Sequence, residues 1–331
     1  MHMFHDALVS FAGRRGISMK KEDTVALKAI AIIYVLLGHL NYLDSSGAWG
    51  VHIFLIVSGY GLETSYQWNG LKDYWKKRFT KVFVPYEVIL LLALSIEVFI
   101  NKKCNIINAV ISIVGLDLGY NIDPSMWYIS YCFLLYAEFY LWKKVLDVNV
   151  VLKYMLPFLF VILNFFLAIL DKTGWGMIWS ASAQAWIYTI DFYAGIALAH
   201  KKESNRIVLY SIVFISTAYF VMRYGQIHYK ADLVLFSLSA AALTVFLVIK
   251  LKLGKYTIIQ KLGVISLYVY LIEGHFLRWK GYLLGASHSS IANVLAFALC
   301  LLGGYAAWQI TNVLRKRMGG ATVSRQFYEF A

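Results

Sequence analysis

Apolar residues in this chain do not alternate at a short period; they gather into uninterrupted runs of about 17 to 23 residues, the length needed to cross a bilayer core roughly 30 Å thick. Between the runs the charged side chains cluster. The pattern predicts ten helices, over residues 24–42, 49–66, 82–100, 126–143, 152–170, 184–200, 206–223, 232–250, 261–279 and 291–313. The run from Ile106 to Leu116 is too short to span and precedes Asp117 and Asp123, so it reads as a re-entrant or surface piece. Ahead of the first span, Met3, Phe4, Ala7, Leu8 and Phe11 recur at helical spacing before Arg14 and Arg15, which suggests a short helix lying on the membrane surface. The expected fold class is all-α: a polytopic integral membrane protein with about ten transmembrane helices in one bundle. Residues 1–331 form a single domain, with 1–23 and 314–331 as cytoplasmic ends.

Composition sharpens this reading. Of 331 residues, 60% are hydrophobic and 15% charged, against roughly 25% charged in a soluble domain, which argues against a water-soluble enzyme. A formal charge of +13 would raise the question of nucleic acid in a soluble protein. Here the cations follow membrane orientation instead, and no nucleic-acid partner is expected. The two ends and the even-numbered connections hold 23 lysines and arginines, the odd-numbered connections 7. Both termini should therefore face the cytoplasm, in a multi-pass protein of the cytoplasmic (inner) membrane whose constant partner is the lipid bilayer. Cys104, Cys132 and Cys300 are odd in number and far apart, so neither a disulfide framework nor a metal-ligand spacing is present. No signal for an oligomeric state is legible.

Ionisable residues inside apolar spans are costly and are functional candidates by default. Glu63, Glu87, Glu97, Glu138 and Asp232 lie near span ends, where snorkelling or helix-end pairing accounts for them. His39 is set among apolar residues, and Lys28 precedes it by eleven positions on the same span. Eleven residues turn a helix through three turns plus about 20°, so both side chains share one face, about 16 Å apart along the axis. The alternative is a snorkelling Lys28 and a His39 that merely bonds a neighbouring helix. Lys76, Lys77, Arg78 and Lys81 crowd the approach to the third span before Pro85, either as a site for a polyanion such as a nucleotide phosphate or as a plain orientation signal. With Lys28 they would form an electropositive cytoplasmic mouth, from which an anionic cofactor could extend a flexible arm toward His39. By depth, His52, Asp191, Glu273 and His275 could surround His39 as substrate-binding groups. Val57-Ser58-Gly59-Tyr60-Gly61 offers small surfaces for close helix packing.

These residues together resemble the membrane acyltransferase-3 family of bacterial O-acyltransferases. Leu27-Lys28-Ala29-Ile30, followed by Gly38-His39, is similar to its opening pattern, in which an essential histidine stands eleven residues after an arginine. Gly50-Val51-His52-Ile53-Phe54-Leu55-Ile56-Val57-Ser58-Gly59-Tyr60 resembles its second-span signature, and Tyr74-Trp75-Lys76-Lys77-Arg78-Phe79-Thr80-Lys81 with Pro85 its basic entry to the third span. Trp127-Tyr128-Ile129-Ser130 and the stretch from Leu262 to Ile272 are similar to the starts of its fourth and ninth spans. Two departures stand out: Lys28 replaces the usual arginine, and Glu273-Gly274-His275 follows where the family often has histidine directly.

The resemblance implies an acyltransferase that moves an acyl group, acetyl first among candidates, from acyl-coenzyme A to a hydroxyl of a surface polysaccharide or its lipid-linked glycan precursor. On that reading His39 is the general base, Lys28, Lys77, Arg78 and Lys81 hold the phosphates of acetyl-CoA, and no metal is required. Direct attack and a transient acyl-histidine are both open. The rival class is a transporter or flippase with His39, Asp191 and Glu273 as an intramembrane polar pathway; its hallmarks, internal repeats and paired broken helices, are not found.

Overall fold

A computed structural model describes residues 19–43, 46–96, 98, 105–116, 126–145, 155–157, 159–164, 185–200, 230–284 and 290–317. The described residues are helical, with no strand among them. In chain order the elements are α1 (Lys21–His39), α2 (Ser46–Asn69), α3 (Tyr74–Ile96), α4 (Ile106–Ile113), α5 (Trp127–Val145), α6 (Ala185–Leu198), α7 (Lys230–Lys250), α8 (Thr257–Leu284) and α9 (Ser290–Arg317). By length and composition, Tyr74–Ile96, Thr257–Leu277 and Ser290–Arg317 can cross a membrane. They account for three of the ten expected spans. The expected span 206–223 and the amphipathic stretch from Met3 to Phe11 lie outside the described residues.

α1 starts where the Asp23 side chain, in its first turn, accepts the Lys20 backbone N–H at 2.9 Å, which also sets acidic charge against the positive helix end. It packs antiparallel to α2, with the Tyr60 hydroxyl donating to the Met19 carbonyl at 2.6 Å, and parallel to α8. A Cβ on Gly263 of α8 would come within 2.0 Å of the Val25 carbonyl. α2 and α6 are equally close: a Cβ on Gly59 would meet the Phe192 carbonyl at 2.0 Å, and one on Gly195 the Ile56 carbonyl at 2.0 Å. Small residues let the backbones touch, as the pattern around Gly59 predicts.

The core between the helices is aromatic, with Tyr86, Tyr131, Phe139 and Phe192 fully buried, while Leu91, Leu92, Val294 and Leu302 point outward as lipid-facing residues do. α4, only eight residues long, is capped by the Asn105 side chain, which accepts from the Ile107 N–H. It is held to α3 by the Tyr86 hydroxyl donating to the Ser112 carbonyl at 2.6 Å. α3 carries a π-helical turn, Phe79–Phe83, in which the Val84 N–H bonds the Phe79 carbonyl five residues back. Pro85 has no N–H to give Lys81, so the ladder shifts register there. The turn lies at the basic segment.

Two ionisable residues near span ends are buried rather than snorkelling. Glu138 is 3% exposed and accepts from the Asn164 amide at 2.9 Å. Glu63 meets Lys143 Nζ at 2.6 Å and His200 Nε2 at 3.1 Å, so α2, α5 and the end of α6 are tied by a buried charge pair.

Candidate functional site

His39 closes the C-terminal end of α1, and Glu273 stands on α8. The parallel packing of the two helices brings His39 Nδ1 to 2.9 Å from both carboxylate oxygens of Glu273. The carboxylate is fully buried and the imidazole half exposed, at 47%. A carboxylate withdrawn from water requires a hydrogen-bonded partner, and here Nδ1–H donates to it. That bond assigns the tautomer: the lone pair is left on Nε2, which stands over Gly47, 3.9 Å from where a Cβ there would be. The arrangement suits a general base, oriented by a carboxylate through one nitrogen and able to take a proton at the other.

Lys28, on the same helix toward its N-terminus, lines a cavity of about 240 Å³ between α1, α2, α3, α5, α8 and α9. Lys21, Lys81 and Arg315 line it as well, and no carboxylate does among the described residues. Four cations without an acid make an anion site. Lys28 has no acidic partner among the described residues. The inner wall is aromatic: the Phe54, Tyr128 and Tyr270 rings, from three helices, contact one another with centroids 5.3 to 6.4 Å apart. Tyr270 precedes Glu273 by three residues, about 4.5 Å along α8, so the cavity ends within one helical turn of the dyad.

Arg78 does not line the cavity itself. Its guanidinium lies over the rings of Tyr74, at 5.4 Å, and Tyr136, at 5.8 Å, and Tyr136 is part of the wall. The Arg78 charge acts on both Lys28 and Lys81, and that of Lys77 on Lys81. The basic segment and the Lys28 stripe therefore meet at one end of the bundle.

The other sequence candidates separate into a different place. His52 of α2 and Asp191 of α6 form their own buried pair, Nδ1 to Oδ2 2.5 Å, with the Tyr188 ring 4.9 Å from the imidazole. Beside it the Tyr131 and Thr189 hydroxyls are hydrogen-bonded to each other. His275 is buried on α8, but two residues turn a helix by about 200°, which puts it on the side of α8 away from Glu273.

Two cavity cations escape a reading of the sequence, Lys21 and Arg315, because each belongs to a basic cluster at a span end that orientation alone explains. The signal available was periodicity: Lys21 and Lys28 are seven residues apart, as are Trp308 and Arg315, a spacing that returns to nearly the same helix face.

A family model described as an acyltransferase domain matches residues 26–312. No curated protein and no solved structure matches the chain.

Proposed function

Because this chain belongs to the acyltransferase-3 family and is a membrane acyltransferase, we propose that it moves an acyl group, acetyl before any longer one, from cytoplasmic acyl-coenzyme A to a hydroxyl of a cell-surface glycan or its lipid-linked precursor. The observation that carries the proposal is the His39–Glu273 dyad, one turn beyond a cavity lined by cations and free of carboxylates among the described residues.

The thioester arrives activated, so the protein has to bind the donor, bring up the acceptor and remove a proton. Lys28 and Lys81, with Arg78 and Lys77 behind them, would hold the phosphates, and the arm bearing the thioester would follow the α1 face past Tyr270 toward His39. Nε2 of His39 takes the acceptor hydroxyl proton as its oxygen bonds to the acyl carbon. The carbon–sulfur bond then breaks, and the proton passes from His39 to the departing thiolate. Glu273 holds the ring in place and stabilises the imidazolium that forms in between. His52, Asp191 and His275 fall outside this scheme as reacting groups; the buried His52–Asp191 pair would position α2 against α6.

In the same reading the chain crosses the cell membrane ten times with both ends in the cytoplasm. The 23-to-7 division of cations supports this. So does the packing, since α1 and α8 run one way and α2 and α9 the other, with Lys28, Lys81 and Arg315 at one end and His39 at the opposite end.

Purified protein in vesicles, given acetyl-coenzyme A and a lipid-linked glycan fraction, should release free thiol and add one acetyl mass per acylated hydroxyl. Thiol release without any acetylated acceptor would refute a transferase of this kind.

A further inference from the structure

The three cations that end α9 do not behave alike. Lys316 and Arg317 are exposed, as residues that only set orientation would be, whereas Arg315 turns inward and lines the acid-free cavity. Trp308, seven residues earlier and so on nearly the same face, lines it too. Between them Thr311 is fully buried, which makes 308, 311 and 315 one inward stripe. Tyr268 of α8 lines the same cavity as Arg315, and the Thr311 hydroxyl is turned back onto the Ala307 carbonyl at 2.9 Å. Yet Arg315 Nε and Trp308 Nε1 are buried with no hydrogen-bond partner among the described residues.

Buried N–H groups without acceptors cost free energy unless a ligand supplies them. Both groups are donors only, and they share a cavity with Lys21, Lys28 and Lys81. The missing ligand is therefore anionic and rich in acceptor oxygens. A carboxylate could satisfy one fork, but five side chains that can only donate, around one small cavity, match a phosphoryl group. Lys28, where the resembling family carries arginine, is a point charge without a planar fork. Arg315 restores one from the opposite end of the chain.

We propose that Trp308 and Arg315 form a phosphoryl-binding site that receives a phosphate of the nucleotide part of the acyl donor. This rests on the acyl-coenzyme A reading above. The same chemistry could be offered by an anionic lipid headgroup at the cytoplasmic surface, and the test separates the two sources.

The full chain is reconstituted in nanodiscs of phosphatidylcholine alone, and coenzyme A and pantetheine, which lacks phosphates, are titrated calorimetrically. Arg315→Lys keeps the charge and Trp308→Phe keeps the ring, so both preserve the bundle. Each should weaken coenzyme A about tenfold while leaving pantetheine unchanged, and Lys316→Ala should alter neither. Equal affinity of wild type and both variants for coenzyme A overturns the site while leaving the transferase reading intact. If wild type binds no coenzyme A at all, it is the donor reading that fails, and the assignment with it. In parallel nanodiscs that also contain phosphatidylglycerol, a loss that appears only as altered retention of that lipid by the variants, with coenzyme A binding unaffected, gives the phosphoryl group to a lipid and overturns its assignment to the donor.

Discussion

His39 and Glu273, 234 positions apart in the chain, meet with Nδ1 2.9 Å from either carboxylate oxygen. The partner of His39 is thus neither a neighbour on its own helix nor His52, which pairs with Asp191. On the proposed mechanism Glu273 is the orienting group, and a test follows. Glu273→Gln keeps the volume but offers an amide N–H as well as an acceptor, so the imidazole can turn its lone pair toward the amide and lose the base at Nε2. kcat should fall by about 10²-fold or more with the Michaelis constant for acetyl-coenzyme A little changed. Steady-state kinetics of the purified variant settle it; an unchanged kcat removes Glu273 from the chemistry.

Arg78 stacks over two tyrosine rings and faces Lys28 and Lys81. Replacing it by lysine preserves the orientation signal but abolishes the planar fork and most of the stacking. Donor binding should weaken by about 1–3 kcal/mol, the value of a hydrogen bond to a charged group, with acceptor kinetics unaltered. Lys28→Arg, the complementary change, should retain or improve donor use. A donor Michaelis constant indifferent to Arg78→Lys would return the basic segment to a topological role.

Glu63 and Lys143 are 2.6 Å apart with side chains only 2% and 4% exposed, and the ammonium lies 4.2 Å from the Trp142 ring centroid. Breaking one side of a buried pair strands the other charge at a cost of about 3–5 kcal/mol. Glu63→Gln should therefore lower the unfolding temperature in detergent markedly, and adding Lys143→Met should recover most of the loss. Circular dichroism melts measure both; a double variant no more stable than the single one contradicts the pairing.

Much of the site's axis was legible from spacing. Lys28 and His39 lie on one α1 face because eleven residues make nearly whole turns, and the cavity and dyad lie at the two ends of that face. What spacing cannot supply is which helices adjoin in the membrane plane. Glu273 and Asp191 were equal candidates by depth, and only packing separates them: α8 lies parallel to α1, while α6 lies against α2. Arg315 was hidden for a different reason. A cation at the cytoplasmic end of a span satisfies the orientation rule whether it faces water or a cavity, so Arg315, Lys316 and Arg317 look alike until α9 is rotated into place. For Glu138 closeness to a span end leaves both snorkelling and pairing open, because it does not decide whether a side chain points outward; Asn164 gives it a buried partner.

The contact of α2 with α6 yields a prediction of its own. A methyl on Gly59 would lie 2.0 Å from the Phe192 carbonyl, an overlap that only a shift of backbones relieves. Gly59→Ala should destabilise the bundle by about 1–3 kcal/mol, read as a lower melting temperature, and Gly195→Ala should do likewise from the facing helix. Normal melting of both variants would mean that the two helices stand further apart.

The central claim is that Nε2 of His39 removes the acceptor's proton, and single-turnover transfer of radiolabelled acetyl from acetyl-coenzyme A to a lipid-linked glycan, by wild type and by His39→Ala in the same vesicles, tests it most directly. The account predicts that His39→Ala still inserts and binds coenzyme A, while acetyl transfer falls by about 10²–10⁴-fold or more. Transfer at near the wild-type rate by the alanine variant would contradict it.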